Sequence, residues 1–89
     1  MKELLQERRR IDAERGQLCC RYSVLVGEKK AGNFLCEAYG VKIEEEGSGE
    51  SACFPDLTLS AGEIDALMER LIRNRVTPTG LKDVIEDWL

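Results

Sequence analysis

Leu59-Ser60-Ala61-Gly62-Glu63-Ile64-Asp65-Ala66-Leu67-Met68-Glu69-Arg70-Leu71-Ile72 and Val76-Thr77-Pro78-Thr79-Gly80-Leu81-Lys82-Asp83-Val84-Ile85-Glu86-Asp87-Trp88-Leu89 follow one template. In each, an apolar residue precedes a hydroxyl residue and another apolar residue sits five positions later. That is the pattern of a helix start whose N-cap is flanked by a hydrophobic staple. Further apolar residues follow every three or four positions, so each segment predicts a helix with a single apolar stripe. Ser60 to Glu63 reads as a capping box, and Thr77-Pro78 puts proline at the first helical position, where its missing N–H is harmless. A Thr77 cap of this kind is worth about 1 kcal/mol. Only residues 74–76 join the two segments, so they form a hairpin. The repeated template is one capping solution used twice rather than a duplicated unit, since a solenoid needs more repeats.

Working outward from this hairpin, three strand candidates precede it. Residues 18–26 alternate, with Cys20, Tyr22, Val24 and Val26 on one face. A loop holding Gly27 and Gly32-Asn33 turns the chain, and residues 34–45 alternate most clearly at Tyr39, Val41 and Ile43. Gly40 marks a bulge candidate in that strand. After Gly47-Ser48-Gly49, residues 50–57 form a short strand that, because of Pro55, belongs at an edge or ends before that proline. Residues 2–15 are compatible with a charged helix, with Arg8–Asp12 and Arg10–Glu14 pairs and Gly16 ending it at C′. Leu4, Ile11 and Leu18 recur at seven, but charged neighbours leave a coiled coil without an apolar seam. The expected fold class is α+β: a three-stranded antiparallel meander covered on one face by the C-terminal helical hairpin. Residues 1–17 form a charged N-terminal extension, helical or frayed, and residues 18–89 a single domain.

The chain has 89 residues, 43% hydrophobic and 34% charged, a balance suited to a globular domain rather than a disordered one. No apolar run reaches the roughly 20 residues of a membrane span, and the charged N-terminus does not resemble a secretory signal. A cytosolic protein is expected. Its net charge of -4 disfavours non-specific binding to nucleic acid or anionic membranes. That charge is uneven, since residues 1–36 hold eight Lys or Arg against five Asp or Glu, whereas residues 37–56 hold one Lys against six Asp or Glu. There is no histidine, and the four cysteines, Cys19, Cys20, Cys36 and Cys53, contain no C-x-x-C pair. Adjacent Cys19 and Cys20 on a strand point to opposite faces, so the favoured reading is reduced, half-buried apolar side chains. A redox or metal sensor is the less favoured one.

Asn74-Arg75-Val76-Thr77-Pro78-Thr79-Gly80-Leu81-Lys82-Asp83-Val84-Ile85-Glu86-Asp87-Trp88-Leu89 resembles the C-terminal signature of a small bacterial family of unknown function, found in clostridia and their relatives. Tyr22-Ser23-Val24-Leu25 and Tyr39-Gly40-Val41-Lys42-Ile43-Glu44 look like two earlier blocks of that family. The resemblance covers about residues 20–89, implies a variable N-terminal extension, and brings no activity, ligand or catalytic residue.

Function is therefore weighed on side-chain chemistry. Without histidine there is no ready base near neutral pH, and no phosphate-binding glycine motif occurs. Asp83, Glu86 and Asp87 cluster on one helix face, where solvation explains them better than a metal or acid–base role. As a DNA reader, the second helix would set Lys82 against these three carboxylates. Arg70, Arg73 and Arg75 suit a helix C-terminus, with Glu69–Arg73 as an i,i+4 pair, and Arg8-Arg9-Arg10 is diluted by Glu7 and Asp12. An open sheet face bearing Cys19, Leu25, Phe34 and Cys36 would favour a homodimer or another protein partner. The expectation is a non-catalytic interaction or regulatory module, with no cofactor and no metal, that self-associates or binds a protein. Any interaction surface on the helices would use Arg73, Arg75, Asp83, Glu86 and Asp87. A nucleic-acid-associated regulator using the arginine segments is the alternative.

Overall fold

The computed structural model describes residues 1–13 and 16–89. Four strands and two helices follow one another: β1 (Lys2–Ala13), β2 (Gly16–Ala31), β3 (Phe34–Glu46), β4 (Ser51–Thr58), α1 (Ala61–Arg73) and α2 (Pro78–Trp88). The strands pair antiparallel in sequence order, β1-β2-β3-β4. The α+β class, the meander and the C-terminal helical hairpin are as expected, but the sheet has four strands rather than three.

The extra strand replaces the charged helix expected over residues 2–15. Lys2–Ala13 pairs with β2 from Lys2↔Val26 to Ala13↔Gly16. The expected Arg8–Asp12 pair is absent, because strand neighbours four apart do not meet. Arg8 instead bonds Glu46, 38 residues away. The Arg10–Glu14 pair has one member outside the described residues. Gly16 does need a left-handed backbone, at φ 109°, but as the first residue of β2 rather than as a helix cap. A bulge at Gln6, between Leu5 and Glu7, shifts β1 by one residue against β2.

The core lies between the sheet and the helices. Cys20, Tyr22 and Val24 of β2 and Val41 and Ile43 of β3 meet Ile64, Leu67, Met68 and Leu71 of α1 and Leu81 and Ile85 of α2. These are the positions that period two and period 3.6 select, and each large apolar side chain removed from water contributes about 1.5–3 kcal/mol. Val84 and Trp88 pack at the margin of this core. Leu89, the last member of the predicted stripe, is 79% exposed and does not fill an apolar slot. Leu59 is likewise 53% exposed, so the first hydrophobic staple is not closed.

The two helix starts are less alike than their sequences. Ser60 Oγ accepts from the Glu63 N–H at 3.2 Å, as the capping box requires. The Glu63 carboxylate, however, accepts from Thr58 Oγ1 at 2.6 Å, and Thr58 Oγ1 in turn accepts from the Ser60 N–H at 3.1 Å. Thr58 thus relays the second half of the box. Thr77 makes no side-chain cap bond, and Pro78 alone sets the start of α2. Ser60→Ala should therefore lower stability by about 1 kcal/mol and Thr77→Ala by only a few tenths. Thermal unfolding of the two variants side by side checks this, and equal losses would contradict the observed caps.

Between the helices, Arg75 takes the left-handed conformation at φ 53°. The Arg75 N–H bonds Ile72 O at 3.1 Å and the Val76 N–H bonds Leu71 O at 3.0 Å. This is a Schellman end to α1, with arginine where glycine is usual. Tyr22, fully buried, donates its hydroxyl to Val76 O at 2.8 Å and so ties this turn to the centre of the sheet.

At β4, Val41 pairs with Phe54 while Tyr39 pairs with Thr58. Three residues, Pro55, Asp56 and Leu57, therefore stand opposite Gly40 alone. Pro55 lies on an edge strand, as expected, and the bulge that Gly40 suggested is carried by its partner strand. Asp56 adopts φ 56°, which Asp tolerates better than most residues. A Cβ at Gly40 would overlap Phe54 O and lie 2.6 Å from Pro55 Cα. The bulge thus rests on bare backbone. Its Asp56 Oδ1 would be 3.7 Å from a Cβ at Gly27, on the sheet face away from the helices.

Candidate functional site

Three surfaces of the sheet carry exposed or interacting side chains: the face away from the helices, the flank of β1 beside α1, and the projecting end of β2 and β3.

The outward face is a ladder of ion pairs. Arg8 of β1 bonds Glu46 of β3 through Nε at 2.9 Å and Nη2 at 3.0 Å, reaching across β2. Below that bridge the Cys19 thiol donates to Glu46 Oε2 at 3.0 Å. Lys42 lies 3.3 Å from Glu3 and 3.9 Å from Glu44, and Arg21 lies 4.0 Å from Glu44. The uneven charge of the sequence finds its use here, since basic side chains of β1 and β2 meet acidic ones of β3. The face expected to be apolar is therefore polar over much of its area. Leu25 is only 5% exposed and offers no patch. Because β1 is a strand, Arg8-Arg9-Arg10 divides between two faces, with Arg9 bonded to Glu7 at 2.8 Å. No single arginine patch results.

The cysteines all lie on strands and are free thiols: Cys20 buried, Cys19 and Cys36 half-buried, and Cys53 exposed. The bond to Glu46, with burial and the carboxylate's charge, holds the Cys19 thiol above its ordinary pKa, and burial pushes Cys20 up. The bonds from Cys19 and Arg8 hold the Glu46 carboxyl below the usual range. A raised thiol supplies less thiolate, the reacting species. Near pH 8 a thiol reagent should thus label Cys53 fastest and Cys19 and Cys20 slowly, and Glu46→Gln should accelerate Cys19. Mass mapping of the labelled peptides checks the order. Unchanged Cys19 labelling in Glu46→Gln would mean that Glu46 does not control the thiol.

The flank of β1 holds a groove of about 610 Å³ against α1. Met68 and Ile72 form its floor, and Gln6, Glu7, Arg9, Asp65, Glu69 and Arg73 its walls. Most of these charges are already satisfied, Glu7 by Arg9 at 2.8 Å and Glu69 by Arg73 at 2.6 Å. Among the described residues no buried polar side-chain atom lacks a partner, and no group of three or more Cys, Asp or Glu is placed to hold a metal ion. Nothing in the groove calls for a ligand.

Of the helix residues singled out in the sequence, only Arg73 reaches that groove. Arg75 occupies the Schellman turn, and Asp83, Glu86 and Asp87 lie exposed on α2, with Glu86 3.9 Å from Lys82. The Glu69–Arg73 pair is present as expected.

The third surface arises from unequal strand lengths. β1 begins at Lys2↔Val26 and β4 ends at Thr58↔Tyr39, yet β2 and β3 pair onward from Gly27↔Ala38 to Ala31↔Phe34. Residues 27–31 and 34–38 thus form a two-stranded ribbon about 16 Å long beyond the sheet. The molecule's longest dimension is 50 Å. Phe34 is 75% exposed and Leu35 71%. Residues 34–38, Phe-Leu-Cys-Glu-Ala, carry no proline, no bulge and one charge along their outer edge.

The other strand edges are protected by familiar devices. β1 carries a bulge and a run of charges, and Gln6 Nε2 donates to Leu4 O at 3.2 Å. β4 carries Pro55 and the three-residue bulge. The β2 side of the ribbon carries Glu28, Lys29 and Lys30. Among the described residues the β3 side of the ribbon is the longest edge left open in this sense, since only three residues of β2, Gly16 to Leu18, run past the other end of β3. Sequence reasoning found Phe34 and Cys36 but missed Leu35, Glu37 and Lys30.

A family model described as a family of unknown function (DUF6514) matches residues 1–89, and the chain belongs to that family. The match includes residues 1–17, which the sequence reading had set aside as a variable extension. No curated protein and no solved structure matches the chain. Among the described residues no helix is long and apolar enough to cross a membrane.

Proposed function

We propose that this member of the family is a protein-interaction module that performs no reaction and joins its sheet to a strand of another polypeptide. The joining edge is residues 34–38 of β3. The observation that supports this reading is the contrast between edges: β1, β4 and the β2 side of the ribbon are blunted, whereas residues 34–38 carry no proline, no bulge and a single charge, Glu37. An added strand would take main-chain hydrogen bonds from that edge, and Phe34 on one face and Leu35 on the other would contact its alternate side chains. The absence of histidine from the sequence and the solvent-facing placement of Asp83, Glu86 and Asp87 agree with a role in binding rather than catalysis.

The test compares the intact chain with a Phe34→Lys, Leu35→Lys variant, whose changes are at exposed positions and blunt the edge. Affinity capture from native extract and self-association by light scattering are measured for both. Association that the variant loses supports the reading. Association that survives in the variant, or none in either experiment, overturns it.

A further inference from the structure

We infer that the occupant of this edge is a second copy of the chain, paired antiparallel through residues 34–38 with Cys36 opposite Cys36 of its partner. The inference rests on the reading above and goes further, naming the partner and the register. The turn at Gly32-Asn33 closes one end of the free edge, and Thr58 of β4, paired with Tyr39, closes the other. Five residues remain. Two such edges related by a two-fold axis overlap completely only when the middle residue faces itself, so Phe34 lies opposite Ala38 and Leu35 opposite Glu37. At each end Phe34 then lies beside Ala38, which its own copy already covers, being 1% exposed. The bodies of the two copies fall at opposite ends of the joined ribbons, because each β4 ends, at Thr58, where the other copy's ribbon stops.

Charge supports the same register. Within one copy Glu28 stands directly opposite Glu37, a like-charge pair that destabilises a ribbon. Among the described residues no cation lies in ion-pair range of either carboxylate. Lys30 stands opposite Leu35. In the paired form the row across four strands reads Glu28, Glu37, then the second copy's Leu35 and Lys30. Each Glu37 thereby gains a lysine two strands away. Arg8 already makes a contact of that span, reaching Glu46 across β2. Opposed residues of an antiparallel pair have Cα atoms about 4.5–5.5 Å apart, within the range a disulfide accepts.

The test uses the full chain with Cys19→Ser and Cys53→Ser, leaving buried Cys20 in the core. Light scattering should give twice the 10.0 kDa chain mass, falling to a single chain on dilution and with Leu35→Glu, which sets a carboxylate directly opposite the second copy's Glu37. Mild oxidation with diamide should link two chains through Cys36, and Leu35→Glu should abolish the link. A doubled mass without the Cys36 link overturns the register while leaving the edge reading standing. A single-chain mass at every concentration overturns the second copy as occupant, and capture by the intact chain but not its blunted variant then still supports the edge reading.

Discussion

Gly40→Ala should destabilise the protein by about 3 kcal/mol, the upper end of what one added methyl costs in a packed site. The methyl group has nowhere to go. Its position is taken by Phe54 O and approached to 2.6 Å by Pro55 Cα, both backbone atoms of the bulge. A flexible side chain could swing aside, but here a strand must move, and with it the Tyr39↔Thr58 pairing that leads into the Ser60 cap. For a domain of this size the loss corresponds to a fall in melting temperature of about 12–24 °C. Gly27→Ala is the matched control, because its nearest contact is Asp56 Oδ1 at 3.7 Å, an ordinary separation. That variant should be neutral or more stable by up to about 1 kcal/mol, since alanine loses less entropy than glycine on folding. Equal melting temperatures for the two variants would mean that the bulge does not bear on Gly40.

The same bulge shows where the sequence was informative. Pro55 announced an edge, and Gly40 announced a close approach, because each residue limits the backbone by its own covalent structure. The helices were legible for a related reason: Ile64, Leu67, Met68 and Leu71 repeat at the helical period, and Ser60 and Pro78 mark the starts. Alternation likewise exposed the central parts of β2 and β3. β1 was not legible. Lys2-Glu3-Leu4-Leu5-Gln6-Glu7-Arg8-Arg9-Arg10 is rich in good helix formers, and what holds it as a strand lies outside it: main-chain pairing with β2, with ion pairs to Glu46 and Lys42 as a smaller addition. Leu4 and Ile11 are seven apart, which suits one face of a helix and opposite faces of a regular strand. The bulge at Gln6 adds the residue that returns both to the same face, so an alternation count fails there.

The candidate edge was half legible. Phe34 and Cys36 stood out as apolar residues beside a turn, but whether a strand edge is free depends on how far its neighbours extend. That follows from pairing register, where β1 starts at Val26 and β4 stops at Tyr39, and no local pattern encodes it. The helix charges were misleading for the converse reason. Arg73, Asp83 and Glu86 are conspicuous in a sequence because they are charged, whereas the candidate edge stands out in the structure because, with one charge and no bulge, it lacks the devices that blunt its neighbours.

Replacing Tyr22 should give the other large effect and the sharper test of how the layers are joined. Tyr22→Ala removes a fully buried aromatic ring and should cost about 4 kcal/mol. Tyr22→Phe keeps the ring and removes only the bond to Val76 O, 2.8 Å long, at about 1–2 kcal/mol including the unpaired carbonyl. The pH dependence separates the hydroxyl from the ring. Burial, with a smaller contribution from Cys20, pushes the phenol from 10.0 up to about 12. A group raised in the folded state stabilises fully below its unfolded value and loses that contribution as pH rises through the folded one. Wild type should therefore weaken between about pH 10 and pH 12 in a way that Tyr22→Phe does not share. Urea midpoints taken at neutral pH and above about pH 10 should show the gap between them closing as the solution becomes alkaline. A gap that stays constant would mean that the phenol ionises as freely in the folded chain as in the unfolded one, and that the turn after α1 is not held by Tyr22.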